Sequence, residues 1–244
     1  MSDTPNSPAV LPRAQDTAMP IGWADPARKA AFEAWFGPVA TQHRLDPASL
    51  RLASADASFR RYLRADGEAG SVIVMDAPPE RENSEPFVRI AGLMQAAGLR
   101  VPEVLAWDRP RGFLLLTDLG HRTLLDTLPL DDPARCRPGL LDAVEALLAW
   151  QLASTEGTLP AYDEALLRRE LQLFPDWYLG AHRQLDLAPA DRELLARAFD
   201  LIVARNLAAP RVYVHRDFMP RNLMPRPEGA PLPATPAQAL GVLD

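Results

Sequence analysis

The order of the predicted strands and helices limits the folds open to this chain more than any other feature. Short apolar segments between turn residues predict strands at residues 50–53, 60–65 and 71–76, the last two joined as a hairpin by ADGEAG. A helix over residues 82–98 follows, and then two further strands around an RPRG turn. A helix capped by Asp25 precedes them all. The first 120 residues therefore predict a helix and then the order β-β-β-α-β-β.

Most of the remaining chain is predicted to be helical. Three helical segments are expected over residues 131–155, 162–182 and 188–209, and the second is interrupted near Pro175. In the first of them, apolar residues recur with a helical period: Leu140, Leu141, Val144, Leu147 and Leu148.

Strand predictions return near the end of the chain. RVYVHRDF is predicted as a short strand, and NLM and GVLD are predicted to pair as a hairpin around a Pro- and Ala-rich linker. Together these patterns predict an α+β protein with a strand-rich part over residues 25–119 and a helical part over residues 120–244. Residues 1–24 are rich in Pro, Ser and Asp, which predicts a disordered tail.

Composition excludes several classes of protein. The formal net charge is -6 and no basic run stands out, so we do not expect a nucleic-acid-binding surface. The chain has a single cysteine, Cys136, which excludes an internal disulfide framework and argues against a CxxC-type zinc site. A single cysteine also fits a protein of the reducing cytoplasm. No run of about 18 apolar residues predicts a membrane span, and the first 20 residues lack the apolar core of a secretory signal. We expect a cytoplasmic monomer.

The stretch VYVHRDFMPRNLM has the residue types that phosphoryl transfer requires. Asp217 can accept a hydrogen bond from a substrate hydroxyl and orient it, and Asn222 can hold a divalent cation through its carbonyl oxygen. A later carboxylate would add charge at the metal, and Asp244, after the apolar GVL, is the candidate. We expect His215 to pack under the loop and Arg216 to form a surface ion pair.

HRDFMPRN resembles the catalytic loop of the protein-kinase-like superfamily, and GVLD resembles the strand that ends in its metal-binding Asp. The resemblance implies a two-lobe fold with a small antiparallel-sheet lobe and a mostly helical large lobe. Within that superfamily, the chain resembles the aminoglycoside-phosphotransferase-like small-molecule kinases. SADASFRRYLR, SVIVMDAPPE and LLRRELQLFPDWYL together resemble more closely the bacterial sugar kinases that phosphorylate N-acetylmuramate and N-acetylglucosamine at the anomeric hydroxyl in cell-wall recycling. The resemblance covers about residues 28–244.

The resemblance implies a role for each matching position, with ATP and Mg²⁺ as cofactors and a small sugar as substrate. Asp217 would be the catalytic base, and Asn222 and Asp244 would be the Mg²⁺ ligands. On the sugar side, Glu170 and the nearby FPDWY are the candidates, although Glu170 is also interpretable as a partner within its own helix. The nucleotide-binding candidates are Ser54, Asp56 and Ser58 in the phosphate-covering turn, Thr117 and Leu119 in the hinge, and Arg60, Arg61 and Arg64.

The sequence departs from the superfamily pattern at one important position. The superfamily usually has a phosphate-binding lysine on the third strand, but the only lysine here is Lys29, and the corresponding segment contains Met75. One of Arg60, Arg61 and Arg64 could supply the missing charge, or all three could belong to a solvated strand. Strand alternation places the first and third of these arginines on one face and the second on the other.

Several alternatives stay open from sequence alone. The substrate could be another small alcohol, such as an aminoglycoside, choline or homoserine, and the absent lysine favours a nucleotide-binding pseudokinase. Met219 replaces a lysine of protein kinases, which makes a protein substrate less expected. We interpret Trp177 and Tyr178 as core residues and Asp118 as a turn cap. Because relatives continue beyond Asp244, we expect a C-terminally truncated fold that exposes apolar surface, binds nucleotide weakly and turns over poorly.

Overall fold

The computed structural model of the chain describes residues 21–55 and 59–243. Most of the predicted tail, together with Asp56, Ser58 and Asp244, lies outside the described residues. The described chain forms two compact units. The first contains the residues up to Gly92 and Pro102–Leu119, and the second contains Leu93–Val101 and Gly120–Leu243.

The first helix of unit 1 begins where its sequence predicts. Helix α1 spans Pro26–His43, and the Asp25 carboxylate accepts a hydrogen bond from the Ala27 N–H at 2.8 Å. Pro26 stands in the first turn, where a missing N–H costs nothing. Arg44 closes the helix in the left-handed conformation with φ 53°.

The sheet of unit 1 confirms the predicted strand order. Its strands are β1 (Leu45–Ala55), β2 (Arg61–Gly67), β3 (Gly70–Asp76), β4 (Val104–Asp108) and β5 (Phe113–Thr117), with helix α2 (Glu85–Ala96) between β3 and β4. The spatial order is β1-β2-β3-β5-β4, and every neighbouring pair is antiparallel. The predicted inserted helix and both predicted hairpins are therefore present.

Each face of this sheet packs against a helix. Aromatic residues of α1, among them Phe32 and Phe36, pack on the face that contains Leu63 and Val74. The other face contains Met75, Ala77, Leu114 and Leu116, packed against Phe87 and Val88 of α2. Successive β2 side chains point to opposite faces, as the alternation predicted. Arg61 lies on the α1 face, whereas Arg60 and Arg64 lie on the α2 face.

The turn between β4 and β5 requires a glycine. Gly112 has φ 68°, and an added Cβ would lie 1.9 Å from the carbonyl oxygen of Ala77. The Ala77 N–H donates to the Gly112 carbonyl oxygen at 2.9 Å, so the turn is joined to the end of β3.

Unit 2 contains the predicted helices and the predicted C-terminal hairpin. Its elements are α3 (Leu124–Thr127), α4 (Pro133–Leu152), α5 (Glu164–Leu173), a π-helical segment (Phe174–His182), α6 (Pro189–Leu207), β6 (Leu223–Pro225) and β7 (Leu240–Val242). The predicted interruption near Pro175 is the change from α5 to the π-helical segment. Strands β6 and β7 pair antiparallel, with Leu223 opposite Val242.

The strand predicted over RVYVHRDF is wrong. Among the described residues no β-ladder includes residues 211–218. The physical reason is a competing partner, because the Tyr213 N–H donates to the Ser154 hydroxyl at 2.7 Å. Tyr213 is buried between exposed Val212 and Val214, so the local pattern resembles that of a strand.

Unit 2 exposes much of its apolar surface, as expected. Four of the periodic residues predicted in α4 are exposed, namely Leu140, Leu141, Val144 and Leu148. Helix α4 instead buries Cys136, Ala143, Ala146 and Trp150. The interpretation of Trp177 and Tyr178 as core residues is wrong, because they are 68% and 50% exposed. None of the described helices is both long and apolar enough to cross a membrane.

Candidate active site

The loop that contains Asp217 is anchored to α4 at its first residues. The Tyr213 ring lies 4.6 Å from the buried Trp150 ring, in addition to the backbone hydrogen bond with Ser154. His215 is half-buried, and its ring meets the Phe218 ring edge-on at 5.4 Å, as expected for a residue packed under the loop. Arg216 then adopts a left-handed conformation with φ 74°.

Asp217 and Asn222 are brought together by a short turn. The 3-10 turn Pro220–Asn222 is closed by a hydrogen bond from the Asn222 N–H to the Met219 carbonyl oxygen at 2.9 Å. The Asn222 Nδ2 donates to the Asp217 Oδ2 at 2.8 Å and to the Asp217 carbonyl oxygen at 3.0 Å. Asp217 is exposed. A carboxylate thus projects to the surface with its orientation fixed by an amide.

The same amide fits a Mg²⁺ ligand by its chemistry. Because Nδ2 donates to Asp217, the side-chain group of Asn222 that can ligate a cation is its carbonyl oxygen Oδ1, and oxygen is the ligand that Mg²⁺ prefers. The Leu243 N–H donates to the Asn222 backbone carbonyl at 2.8 Å, which joins the chain after β7 to the same turn. Asp244 is the next residue. Within residues 21–55 and 59–243, no group of three His, Cys, Asp or Glu side chains is arranged to hold a metal.

Glu170 is bound to the residue that precedes Asp217. Its Oε1 accepts a hydrogen bond from Arg216 Nη2 at 2.5 Å, and its Oε2 accepts one from the Tyr162 hydroxyl. The Tyr162 hydrogen bond, and then the Arg216 guanidinium, hold the pKa of Glu170 below its ordinary value against the opposing effect of burial. The carboxylate is therefore ionised at neutral pH. Arg216 forms the ion pair that was expected of it, whereas Glu170 pairs outside its own helix.

Two of the three candidate arginines of unit 1 are engaged with buried aspartates. Arg61 Nη2 lies 2.5 Å from Asp76 Oδ2, and Arg28 Nη2 of α1 lies 2.5 Å from Asp76 Oδ1. Arg64 Nε lies 2.6 Å from Asp118.

Asp118 also accepts a hydrogen bond from the Ser71 hydroxyl at 2.7 Å. The following helix α3 is capped by Thr123. The role of Asp118 as a cap of the turn that precedes this helix stays a prediction.

Arg60 has a different environment on the α2 face. Its Nε lies 3.5 Å from the Glu82 carboxylate, and its guanidinium lies 5.9 Å from the Phe87 ring of α2. Met75, which replaces the usual lysine, is fully buried on this face. Sequence reasoning missed Glu82, Tyr162 and Ser154, because each acts through a partner that local periodicity does not identify.

The remaining nucleotide-binding candidates lie on unit 1. The Ser54 backbone pairs with Tyr62 in the β1–β2 ladder. Thr117 ends β5, where its N–H donates to the Glu103 carbonyl oxygen at 3.0 Å and its hydroxyl accepts from the Glu103 N–H at 2.9 Å. Leu119 is buried.

A family model described as the phosphotransferase enzyme family matches residues 49–234, which include Asp217 and Asn222. The chain belongs to this phosphotransferase family. The predicted family is thereby confirmed.

Curated relatives of this chain are named N-acetylmuramate/N-acetylglucosamine kinases. The protein of Pseudomonas aeruginosa is 53% identical over 73% of this chain and 52% of its own length. That of Pseudomonas putida is 49% identical over 72% of this chain and 51% of its own length. That of Neisseria meningitidis is 37% identical over 81% of this chain and 58% of its own length. The chain spans about half the length of these two Pseudomonas relatives.

Solved structures confirm the fold class of the chain. Choline kinase LicA from Streptococcus pneumoniae superposes with a TM-score of 0.52 at 14% identity, over 88% of this chain and 68% of that chain. The gentamicin complex of APH(2″)-IIa superposes with a TM-score of 0.51 at 14% identity, over 86% of this chain and 68% of that chain. At this identity the likeness shows the shared kinase-like α+β fold alone.

Proposed function

We propose that the protein is an ATP- and Mg²⁺-dependent kinase that phosphorylates the anomeric hydroxyl of N-acetylmuramate or N-acetylglucosamine. The observation that carries the proposal is the exposed Asp217 carboxylate held by the Asn222 amide at 2.8 Å. The names of the curated relatives support the choice of substrate. The family match supports phosphoryl transfer as the reaction.

In this proposal Asp217 is the catalytic base. The attacking sugar hydroxyl donates a hydrogen bond to the Asp217 carboxylate, which orients its oxygen and accepts its proton. The oxygen forms a bond to the γ-phosphorus of ATP as the bond from that phosphorus to the ADP oxygen breaks, and ADP leaves. Asn222 fixes the orientation of that carboxylate through Nδ2. Its amide oxygen, together with Asp244, would hold Mg²⁺. The bound cation would offset the negative charge on the transferred phosphoryl group.

Arg60 is the proposed substitute for the missing third-strand lysine. The usual lysine pairs with a glutamate of the following helix and with the nucleotide phosphates, so the substitute must lie on the α2 face. Arg61 lies on the opposite face, and Arg64 binds the buried Asp118. Arg60 lies on the α2 face beside an acidic partner, Glu82.

The other nucleotide contacts are proposed along the family pattern. Backbone groups of Thr117 and Leu119 would bind the adenine base, and the turn containing Ser54, Asp56 and Ser58 would cover the phosphates.

One observation favours a rival function, that of a nucleotide-binding protein without turnover. Met75 is buried at the position where kinases of this superfamily usually have the phosphate-binding lysine.

The substrate assignment is tested by coupled kinase assays of the full-length gene product. The panel contains N-acetylmuramate, N-acetylglucosamine, an aminoglycoside and choline. We expect ATP turnover with the two N-acetylated amino sugars and none with the two cationic alcohols. Turnover with choline or the aminoglycoside alone would contradict the proposed substrate. ATP binding without turnover on any substrate would support the rival function.

The Arg60 assignment is tested by Arg60→Ala. We expect the KM for ATP to rise by about 10-fold or more, because a hydrogen-bonded charge contributes about 1.5–3 kcal/mol. Arg109→Ala is the matched control, since Arg109 forms an exposed ion pair with Glu85 of α2 and is expected to leave the KM unchanged. An unchanged KM in Arg60→Ala would contradict the assignment.

A further inference from the structure

We propose that Glu170 and Tyr162 are positioning residues that hold the catalytic loop through Arg216, rather than contacts of the sugar. This inference rests on the proposed function, because it concerns the orientation of the proposed base. It assigns a role to a cluster formed by α5, the segment before it and the loop at residues 213–222.

Both oxygens of the Glu170 carboxylate are already bound by side chains. Arg216 Nη2 donates to one of them at 2.5 Å, and the Tyr162 hydroxyl donates to the other. The Arg216 guanidinium also lies 6.0 Å from the centre of the Tyr162 ring, so the three side chains form a closed cluster. Charge-assisted hydrogen bonds of this kind are among the strongest that side chains form.

The backbone conformation of Arg216 requires support from surrounding contacts. Its φ of 74° lies in the left-handed region, which costs a non-glycine residue about 1–3 kcal/mol. Such a conformation persists only where surrounding contacts fix it. Glu170 binds the side chain of this residue from a neighbouring helix, so it supplies one of those contacts.

Arg216 immediately precedes Asp217 in the chain. The backbone dihedral angles of Arg216 determine the direction in which the Asp217 side chain projects. A contact that fixes Arg216 therefore also orients the Asp217 carboxylate. The loop is held at Tyr213 by Ser154 and at Asp217 by Asn222, and Glu170 provides the anchor between them. The ion pair also directs the guanidinium of Arg216 towards Glu170, which keeps it from pairing with Asp217.

The test is Glu170→Gln, which keeps the side-chain shape and removes the charge. We expect kcat to fall by about 10- to 100-fold, because small misplacements of catalytic groups cost rates of this order. The KM for the sugar should stay within about two-fold, since positioning leaves substrate contacts intact. Tyr162→Phe should also lower kcat, by a smaller factor than Glu170→Gln does. It should likewise leave the KM for the sugar within about two-fold.

Two comparisons isolate the route through Arg216. In the double variant Glu170→Gln with Arg216→Gln, kcat should fall no further than in Arg216→Gln alone, because the two residues act as one unit. Glu164→Gln is the matched control on α5, since Glu164 forms an exposed ion pair with Arg168, and it should leave kcat unchanged.

Hydrogen–deuterium exchange of residues 211–222 gives a readout that does not depend on turnover. Glu170→Gln should accelerate exchange in this segment, and Glu164→Gln should not. If the wild-type protein phosphorylated no amino sugar, the proposed substrate would fail while the exchange measurement still tested the anchor. A raised KM for the sugar with unchanged kcat, or unchanged exchange in the loop, would overturn the positioning role.

Discussion

The carboxylates of Asp76 in unit 1 and Asp217 in unit 2 are both held by neighbouring side chains, but Asp76 is buried and Asp217 is exposed. The Asp76 carboxylate is only 3% exposed, and Arg28 and Arg61 bind it from two sides. Asp217 is exposed and is held by the uncharged Asn222. The Asp76 carboxylate is enclosed between two guanidinium groups inside the fold, whereas the Asp217 carboxylate is oriented by an amide and stays accessible from solvent.

The two units also differ in how much of their apolar surface they bury. Leu63 of β2 is fully buried between the sheet and α1, whereas Leu152 at the end of α4 is 86% exposed. Unit 1 therefore encloses a core between its sheet and its helices. Unit 2 combines a closed hydrogen-bond network around the loop with helices whose apolar side chains face outward.

Asp76→Ala should have the largest effect on stability. It leaves the guanidinium groups of Arg28 and Arg61 without their carboxylate partner, and breaking such a buried pair costs about 3–5 kcal/mol. Chemical denaturation measures the loss. Glu68→Ala is the control, because the exposed pair with Arg44 contributes about 0–1 kcal/mol. Equal losses in the two variants would contradict the structural role of Asp76.

Leu63→Ala and Leu152→Ala compare one chemical change in the two units. The first should lower the free energy of unfolding by about 2–5 kcal/mol, because it opens a cavity in a packed core. The second should stay within about 0.5 kcal/mol of the wild type. Thermal or denaturant unfolding of both variants provides the comparison. A loss in Leu152→Ala as large as in Leu63→Ala would show that this face of α4 is covered in solution.

Ser154→Ala should have a smaller effect, confined to the loop that contains Asp217. It leaves the Tyr213 N–H without its acceptor, at a cost of about 1–3 kcal/mol for a buried group. Ser49→Ala is the matched control in unit 1, since the Ser49 hydroxyl accepts from the N–H of exposed Asp66 at 2.7 Å and water can replace it. Denaturant unfolding should show the larger loss for Ser154→Ala, and the reverse order would contradict the anchoring role of Ser154.

Local patterns predicted most elements of the fold. Strand alternation and turn residues identified β2, β3 and the β4–β5 hairpin, and capping by Asp25 identified the start of α1. The pairing of NLM with GVLD was also correct. The strand predicted at residues 211–218 failed because the Ser154 hydroxyl, 59 residues before Tyr213, takes the backbone N–H.

The candidate site was predictable only where its residues lie close in sequence. Asp217 and Asn222 are five residues apart, and one turn brings them together. Glu170 is 46 residues from Arg216, and Arg28 is 48 residues from Asp76. Hydrophobic periodicity carries no information on contacts between residues so far apart in sequence. These two pairs could therefore be identified only from the structure. Apolar periodicity likewise suggested core positions in α4 without indicating which face would be buried.

The most direct test of this account is the turnover of Asp217→Asn on N-acetylmuramate, measured on protein whose unfolding free energy is also determined. We expect kcat to fall by about 10²- to 10⁴-fold, as for the loss of a general base, with stability within about 0.5 kcal/mol of the wild type. A kcat close to that of the wild type would contradict the assignment of Asp217 as the catalytic base.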